Sequence, residues 1–320
     1  MKKLVKLIEF TVLAALIGVS FAACGGGAGS SKPVDVVYVA GVIDGTAVYW
    51  KDGERQTLTG LSGTSWANAI AVSGSTVYVA GVNDGTAVYW IDGARQPIDA
   101  AIGSSLVYGI AVSGNTVYLA GVNDGTASYW EGYERQTITG ASSGTSWAQG
   151  IAVSGSDVYV AGYNNSNTAA LWKTDGVPQT LTGLSGTSGA NAIAVSGTSV
   201  YVAGRNNDTA VYWIDGGLKS ITGATAGNSE ANAIAVSGTT VYVAGKDNGT
   251  AAYWINGELK PLTGATPGTS WANAIAVSGS NIYVAGYNNT SAALWVNGVQ
   301  RSLAGLIGVS EAKAIAVVRE

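Results

Sequence analysis

One tetrapeptide returns seven times in this chain of 320 residues and sets what the chain can fold into. Tyr-Val-Ala-Gly, once Tyr-Leu-Ala-Gly, begins at Tyr38, Tyr78, Tyr118, Tyr159, Tyr201, Tyr242 and Tyr283, at intervals of 40 to 42 residues. Two more markers keep the same count. A pair ending in tryptophan closes at Trp50, Trp90, Trp130, Trp172, Trp213, Trp254 and Trp295. An Ile-Ala-Val triplet opens at Ile70, Ile110, Ile151, Ile193, Ile234, Ile275 and Ile315. A unit repeated at this period cannot bury its apolar faces alone and must stack on its copies.

One unit reads as four short strands, over residues 68–72, 76–81, 86–91 and 95–99, joined by Ser-Gly, Asn-Asp-Gly and Asp-Gly turns. Asn-Gly and Asp-Gly supply the positive φ angles that tight hairpins need. A helical solenoid does not fit, because no stretch keeps a 3.6-residue apolar rhythm and glycine recurs every few residues, at a cost of about 1 kcal/mol each inside a helix. The reading is all-β: a seven-bladed β-propeller over residues 34–320, with four antiparallel strands per blade. Its ends are informative. The first unit starts near Val34 without an Ile-Ala-Val strand, and the last such strand, Ala314 to Val318, has no unit after it. The C-terminal strand is therefore expected to complete the first blade and close the ring, which removes an exposed edge. The recurring Trp and Tyr are expected to fill the layers between blades.

The first 23 residues read as a cleaved leader: Lys2, Lys3 and Lys6 precede an apolar stretch from Leu7 to Phe21, which is short for a membrane span. Phe21-Ala22-Ala23-Cys24 resembles the lipobox of bacterial lipoproteins, although leucine is usual where Phe21 stands. The resemblance implies a lipid on Cys24, the only cysteine, and a location at the bacterial cell envelope. The competing reading is an ordinary secretory signal. Residues 24–33 are Gly/Ser-rich and read as a tether. Losing Lys2, Lys3, Lys6 and Glu9 with the leader takes the formal charge from −4 to −6. That acidity gives no footprint for nucleic acid. A monomer is expected.

The segment from Ile70 to Asp92 resembles the second half of a WD repeat, with its small-residue strand, Asp-Gly-Thr hairpin and terminal Trp. The Gly-His dipeptide of WD repeats is missing, since the chain has no histidine. A nearer resemblance is to secreted bacterial proteins, many without an assigned function, whose repeats run DVYVAGY…YWKNG…LT. Asp157 to Tyr163, Leu171-Trp172 and Ala293 to Gly298 carry it. It implies a propeller at the cell envelope and supplies no catalytic residue.

Chemistry is narrowed by what is missing. Without histidine, and with its cysteine in the leader region, the chain has no His-assisted nucleophile and no Cys/His zinc set. Carboxylates such as Asp52, Glu54, Asp92, Glu131 and Glu134 fall in or beside the third turns, where backbone demands explain them. The Asn/Asp-rich second turns, such as Asn83-Asp84-Gly85, offer too few ligands each for calcium. No cofactor is expected.

Variation concentrates at the blade-to-blade connection. Trp66, Trp147 and Trp271 are read as its tips in three units, where the others carry Leu106, Gly189, Glu230 and Glu311. Two residues on stand Asn68, Tyr108, Gln149, Asn191, Asn232, Asn273 and Lys313, expected as a polar ring at the channel mouth. Three functions are compatible: a non-catalytic scaffold binding an unidentified protein or glycan on the loop face, a lectin stacking sugars on the three tryptophans, and an enzyme with a carboxylate cluster in the channel. The scaffold fits best.

Overall fold

A computed structural model describes residues 33–99, 104–165, 167–174, 179–306 and 308–320. The leader, Cys24 and the tether up to residue 32 lie outside the described residues. Seven antiparallel sheets form the ring. Blade two is representative: Ser65–Ser73, Thr76–Asn83, Thr86–Ile91 and Ala94–Gln96, paired in sequence order. Six blades have four strands. Blade four has three, and an isolated bridge from Leu171 to Gln179 stands where its fourth strand is expected, beside residues 175–178 outside the description.

The ring closes as the sequence implies. Ser310–Arg319 pairs antiparallel with Asp35–Ile43 from Asp35/Arg319 to Ile43/Ser310, so the C-terminal strand is the inner strand of blade one. Reciprocal bonds of 2.9 Å between Val34 and Glu320 extend the pairing. A side-chain latch adds to the seam. Asp35 accepts hydrogen bonds from Ser278 Oγ (2.6 Å), Asn281 Nδ2 (2.8 Å) and Tyr283 Oη (2.8 Å), all on blade seven. Burial alone would push its carboxyl up. These three donors and the charge of Arg319 outweigh burial and hold it below the ordinary carboxylate value.

The seven repeat tryptophans from Trp50 to Trp295 are at most 2% exposed and pack between blades, as expected. Five indole N–H groups donate to a carbonyl of the connection entering their own blade, as Trp90 Nε1 does to Thr59 O at 2.9 Å. A large buried ring with its one polar atom satisfied is a strong blade anchor.

A second tie recurs at all seven junctions. The buried serine that opens each inner strand, or in blade four directly precedes it, accepts a hydrogen bond from a backbone N–H of the preceding blade. Ser65, Ser105, Ser146, Ser188, Ser229, Ser270 and Ser310 take it from Ala47, Ala87, Ala127, Ala169, Ala210, Ala251 and Ala292, at 2.9–3.0 Å. Without it, a buried amide at each blade boundary would lose its partner, at about 1–3 kcal/mol.

The turns behave as turn chemistry dictates. Asp44, Asp84, Asp124, Asn165, Asn207, Asn248 and Asn289 in the second turns take φ of 46–51°, a region Asn and Asp tolerate. Residues just before them bind the connections: Asn83 Oδ1 accepts from Ser62 N at 2.9 Å and Asn206 Oδ1 from Ser185 N at 2.8 Å. Second turns and connections thus share one face. In the third turns, Asp52, Asp92 and Asp215 accept from Val37, Val77 and Val200 N, each at 2.8 Å, which ties up the carboxylates there.

Candidate functional site

Every inner strand carries a β-bulge at the same place. In blade two Ala67 pairs with Gly81 and Ala69 with Ala80, so Asn68 has no cross-strand partner. The same shift isolates Tyr108, Gln149, Asn191, Asn232, Asn273 and Lys313. A bulge re-aims a side chain, and here it turns seven residues toward the ring axis, where all of them line the channel mouth. The bulge also accounts for the glycine of the repeated tetrapeptide. A Cβ at Gly81 would overlap the carbonyl oxygen of Trp66, which the bowed strand presses against it, and the six equivalent glycines meet the same obstacle.

The polar ring is therefore present, and its asparagines are tied between blades. Asn68, Asn191, Asn232 and Asn273 each donate Nδ2 to the next blade's inner strand, at Val107, Ala231, Ala272 and Ala312 O, over 2.8–3.0 Å. No hydrogen bond reaches their Oδ1 atoms among the described residues, so the ring offers acceptors. Gln149 Nε2 makes only a 3.5 Å contact to Tyr163 Oη. Burial, then Tyr163, pushes the Tyr108 hydroxyl up to about 12, so it stays protonated at neutral pH. Next to the bulky Tyr108 and Gln149 stand Gly109 and Gly150. A methyl at Gly109 would come within 3.1 Å of the Gln149 carbonyl, so this part of the ring is closely packed.

The mouth opens into a cup of about 460 Å³ on the loop face. Deeper in, the channel narrows to about 120 Å³, walled by the Ala or Gly after each bulge and by the Ile of six of the triplets. Around the lip, the variable residues form cross-strand pairs. Trp66, Trp147 and Trp271, expected from the sequence as loop tips, instead lie within inner strands, Trp66 and Trp271 second and Trp147 first, opposite Val82, Tyr163 and Tyr287. The Gly-rich connection ends sooner than its composition suggests, because the buried serine before each tryptophan position already belongs to the blade interface.

The pairing explains what each blade carries. Trp147 stacks on Tyr163 with ring centroids 5.1 Å apart, and Trp271 on Tyr287 at 5.9 Å. Gly189 faces Arg205, and Glu230 faces Lys246. These second-strand partners directly follow the tetrapeptide glycine, and their variation in the sequence is a signal the sequence reading missed. Neighbouring blades join through them. Glu230 lies 3.9 Å from Arg205 Nε and 3.6 Å from Lys246 Nζ, and Lys246 Nζ sits 3.8 Å over the Trp271 ring. Glu311 pairs with Lys313 at 3.0 Å and accepts from Asn273 at 2.8 Å. The two carboxylates at the mouth thus stand on different blades, each neutralised by a cation. No cluster of three or more acidic, cysteine or histidine side chains exists among the described residues.

The three tryptophans are not equivalent. Trp66 is 37% exposed, while Trp147 and Trp271 are half-buried under their stacking partners. Only Trp66 has no aromatic or cationic neighbour on its ring among the described residues.

No protein-family model and no curated protein sequence matches the chain. Solved structures do. The computationally designed Ika8 protein is similar over 77% of this chain and 76% of its own, at 23% identity and a TM-score of 0.50. The WD40 β-propeller domain of Doa1 is similar over 78% of this chain and 89% of its own, at 19% identity and a TM-score of 0.53. The chain has the WD40-type β-propeller fold.

Proposed function

We propose that the protein is a non-catalytic binding scaffold, held at the bacterial cell envelope by a lipid on Cys24, that receives its partner at the loop-face mouth of the ring. One observation carries this reading: around the cup, at the lip pairs and the bulge residues, the blades carry different side chains that neither turn chemistry nor blade stacking dictates. Repeated positions are accounted for by stacking and turns. A ring built for stability alone would give blades three and four no reason to carry Tyr108 and Gln149 where four others carry asparagine. The protein works as a monomer, without a cofactor and without nucleic acid.

The test has two arms. Metabolic labelling with a palmitate analogue should mark the wild type and not Cys24→Ser, and unlabelled wild type would overturn the lipid anchor. Exchanging Leu106, Glu230 and Glu311 together for alanine should abolish recovery of a specific envelope partner while circular dichroism shows the ring still folded. Undiminished recovery would overturn the mouth as the binding surface. A second reading, carbohydrate binding, is favoured by the exposed indole of Trp66. It narrows the stacking platform from three tryptophans to one, and a glycan array on wild type and Trp66→Ala tests it.

A further inference from the structure

We infer that the cup at the channel mouth is a single site for a neutral, hydroxyl-rich small molecule or chain end, a sugar or other polyol, entering along the ring axis. This rests on the scaffold reading and gives the mouth a ligand chemistry.

The innermost ring is the first argument. Asn68, Asn191, Asn232 and Asn273 each commit Nδ2 to the next blade, Asn191 and Asn273 also to Glu230 and Glu311, and the Oδ1 atoms of all four are left without a protein partner among the described residues. Gln149 adds a fifth amide, held only by a 3.5 Å contact. Amide oxygens accept and do not donate, so the ring asks for a ligand that presents several donors at once. Hydroxyls and ammonium groups qualify.

The charge around the cup separates them. In the cup's lining Arg205 and Lys313 balance Glu230 and Glu311, and Lys246 behind them also pairs with Glu230, so no unpaired carboxylate is left to draw a cation. An anion is turned away by the same amide oxygens, which would face its lone pairs. A neutral polyol satisfies both conditions. The Tyr108 hydroxyl, at the same level, can donate or accept. The cup's 460 Å³ lies within the roughly 300–1,000 Å³ of small-molecule sites. A bare ion held by 6–8 oxygens needs far less room.

The experiment is isothermal titration of the full chain, solubilised in a detergent without a sugar headgroup. The probes are methyl glucoside, methyl galactoside, N-acetylglucosamine and myo-inositol, with tetramethylammonium and inorganic phosphate as charged controls. Oligosaccharides ending in the same sugars form a second arm: tighter binding of these identifies a glycan end, and equal binding a free small molecule. Saturable binding of at least one polyol, one per chain, is expected. Gln149→Leu should weaken it about tenfold, the equivalent of about 1.4 kcal/mol. Tyr108→Phe, which keeps the shape of the ring, should weaken it severalfold, and Trp66→Ala should change it less than twofold. Silence from every polyol at about 20 mM, weaker than any useful affinity, overturns the inference, as does tighter binding of a charged control. Loss in Trp66→Ala with Gln149→Leu unaffected moves the sugar to the lip and overturns the cup. A partner still lost on lip mutation in any of these cases leaves the scaffold reading standing.

Discussion

Replacing Ser229 by alanine removes the tie between blades five and six at one atom. Ser229 Oγ accepts from Ala210 N at 3.0 Å and donates to Thr225 O at 2.8 Å, and the side chain is 2% exposed. The variant strands the Ala210 amide at a dry boundary, at about 1–3 kcal/mol. The Thr225 carbonyl lies in an exposed stretch and recovers water, so its loss adds at most about 1 kcal/mol. The total is about 1–4 kcal/mol. At about 2.1 cal/mol/K per residue, a propeller of about 290 residues has an unfolding entropy near 0.6 kcal/mol/K, so the melting temperature should fall by about 2–7 °C. Calorimetry on the wild type, Ser229→Ala and the exposed control Ser237→Ala measures it. Ser188 accepts from Ala169 N without a second bond from its hydroxyl among the described residues, so Ser188→Ala should cost less than Ser229→Ala. If Ser229→Ala melts with Ser237→Ala, within 1 °C of the wild type, the serine ties do not hold the blades and the reasoning fails.

Three other perturbations probe the ring. Gly204→Ala places a methyl on the Gly189 carbonyl at the bulge, and overlap with backbone should cost more than about 3 kcal/mol, read as lost soluble yield or a large drop in midpoint denaturant. Deleting residues 312–320 strips blade one of its inner strand and should lower the melting temperature sharply and cause association by light scattering, and an unchanged monomer would contradict closure. Asp35→Asn weakens the latch to blade seven. Because the folded carboxyl titrates below its unfolded value near 3.9, its contribution is present above pH 4 and lost as the pH falls through the lower, folded value. The variant should therefore be less stable than the wild type at pH 7, by about 1 kcal/mol after allowing for solvent contact, with the gap closing below pH 4 in denaturation curves.

Much of this fold is written in the sequence because stacking demands the same residues seven times. The buried Trp50 to Trp295 series, the turn aspartates and the unmatched terminal strand each follow from local rules: apolar bulk goes inside, positive φ selects Asp, Asn and Gly, and open edges seek partners. What escaped depends on register. Nothing in Ala67-Asn68-Ala69 announces a bulge, because both alanines suit either face of a strand. Its trace lies across the sheet, in the glycine at position 81. Ser65 ends a Gly/Ser-rich run with no local mark of burial, and its role is set by an amide 18 positions upstream in the preceding blade. The lip pairs show the same limit. Trp66 was read with its loop neighbours, whereas its environment comes from Val82 on the next strand.

We propose that the mouth, and not the opposite face, meets the partner. A photo-crosslinking residue placed at Leu106 on the lip, or at Tyr133 in a third turn on the far side (58% exposed), tests it directly in cells with an intact envelope. A discrete crosslinked adduct is expected from position 106 and none from position 133. An adduct from position 133 alone, or from neither, would contradict it.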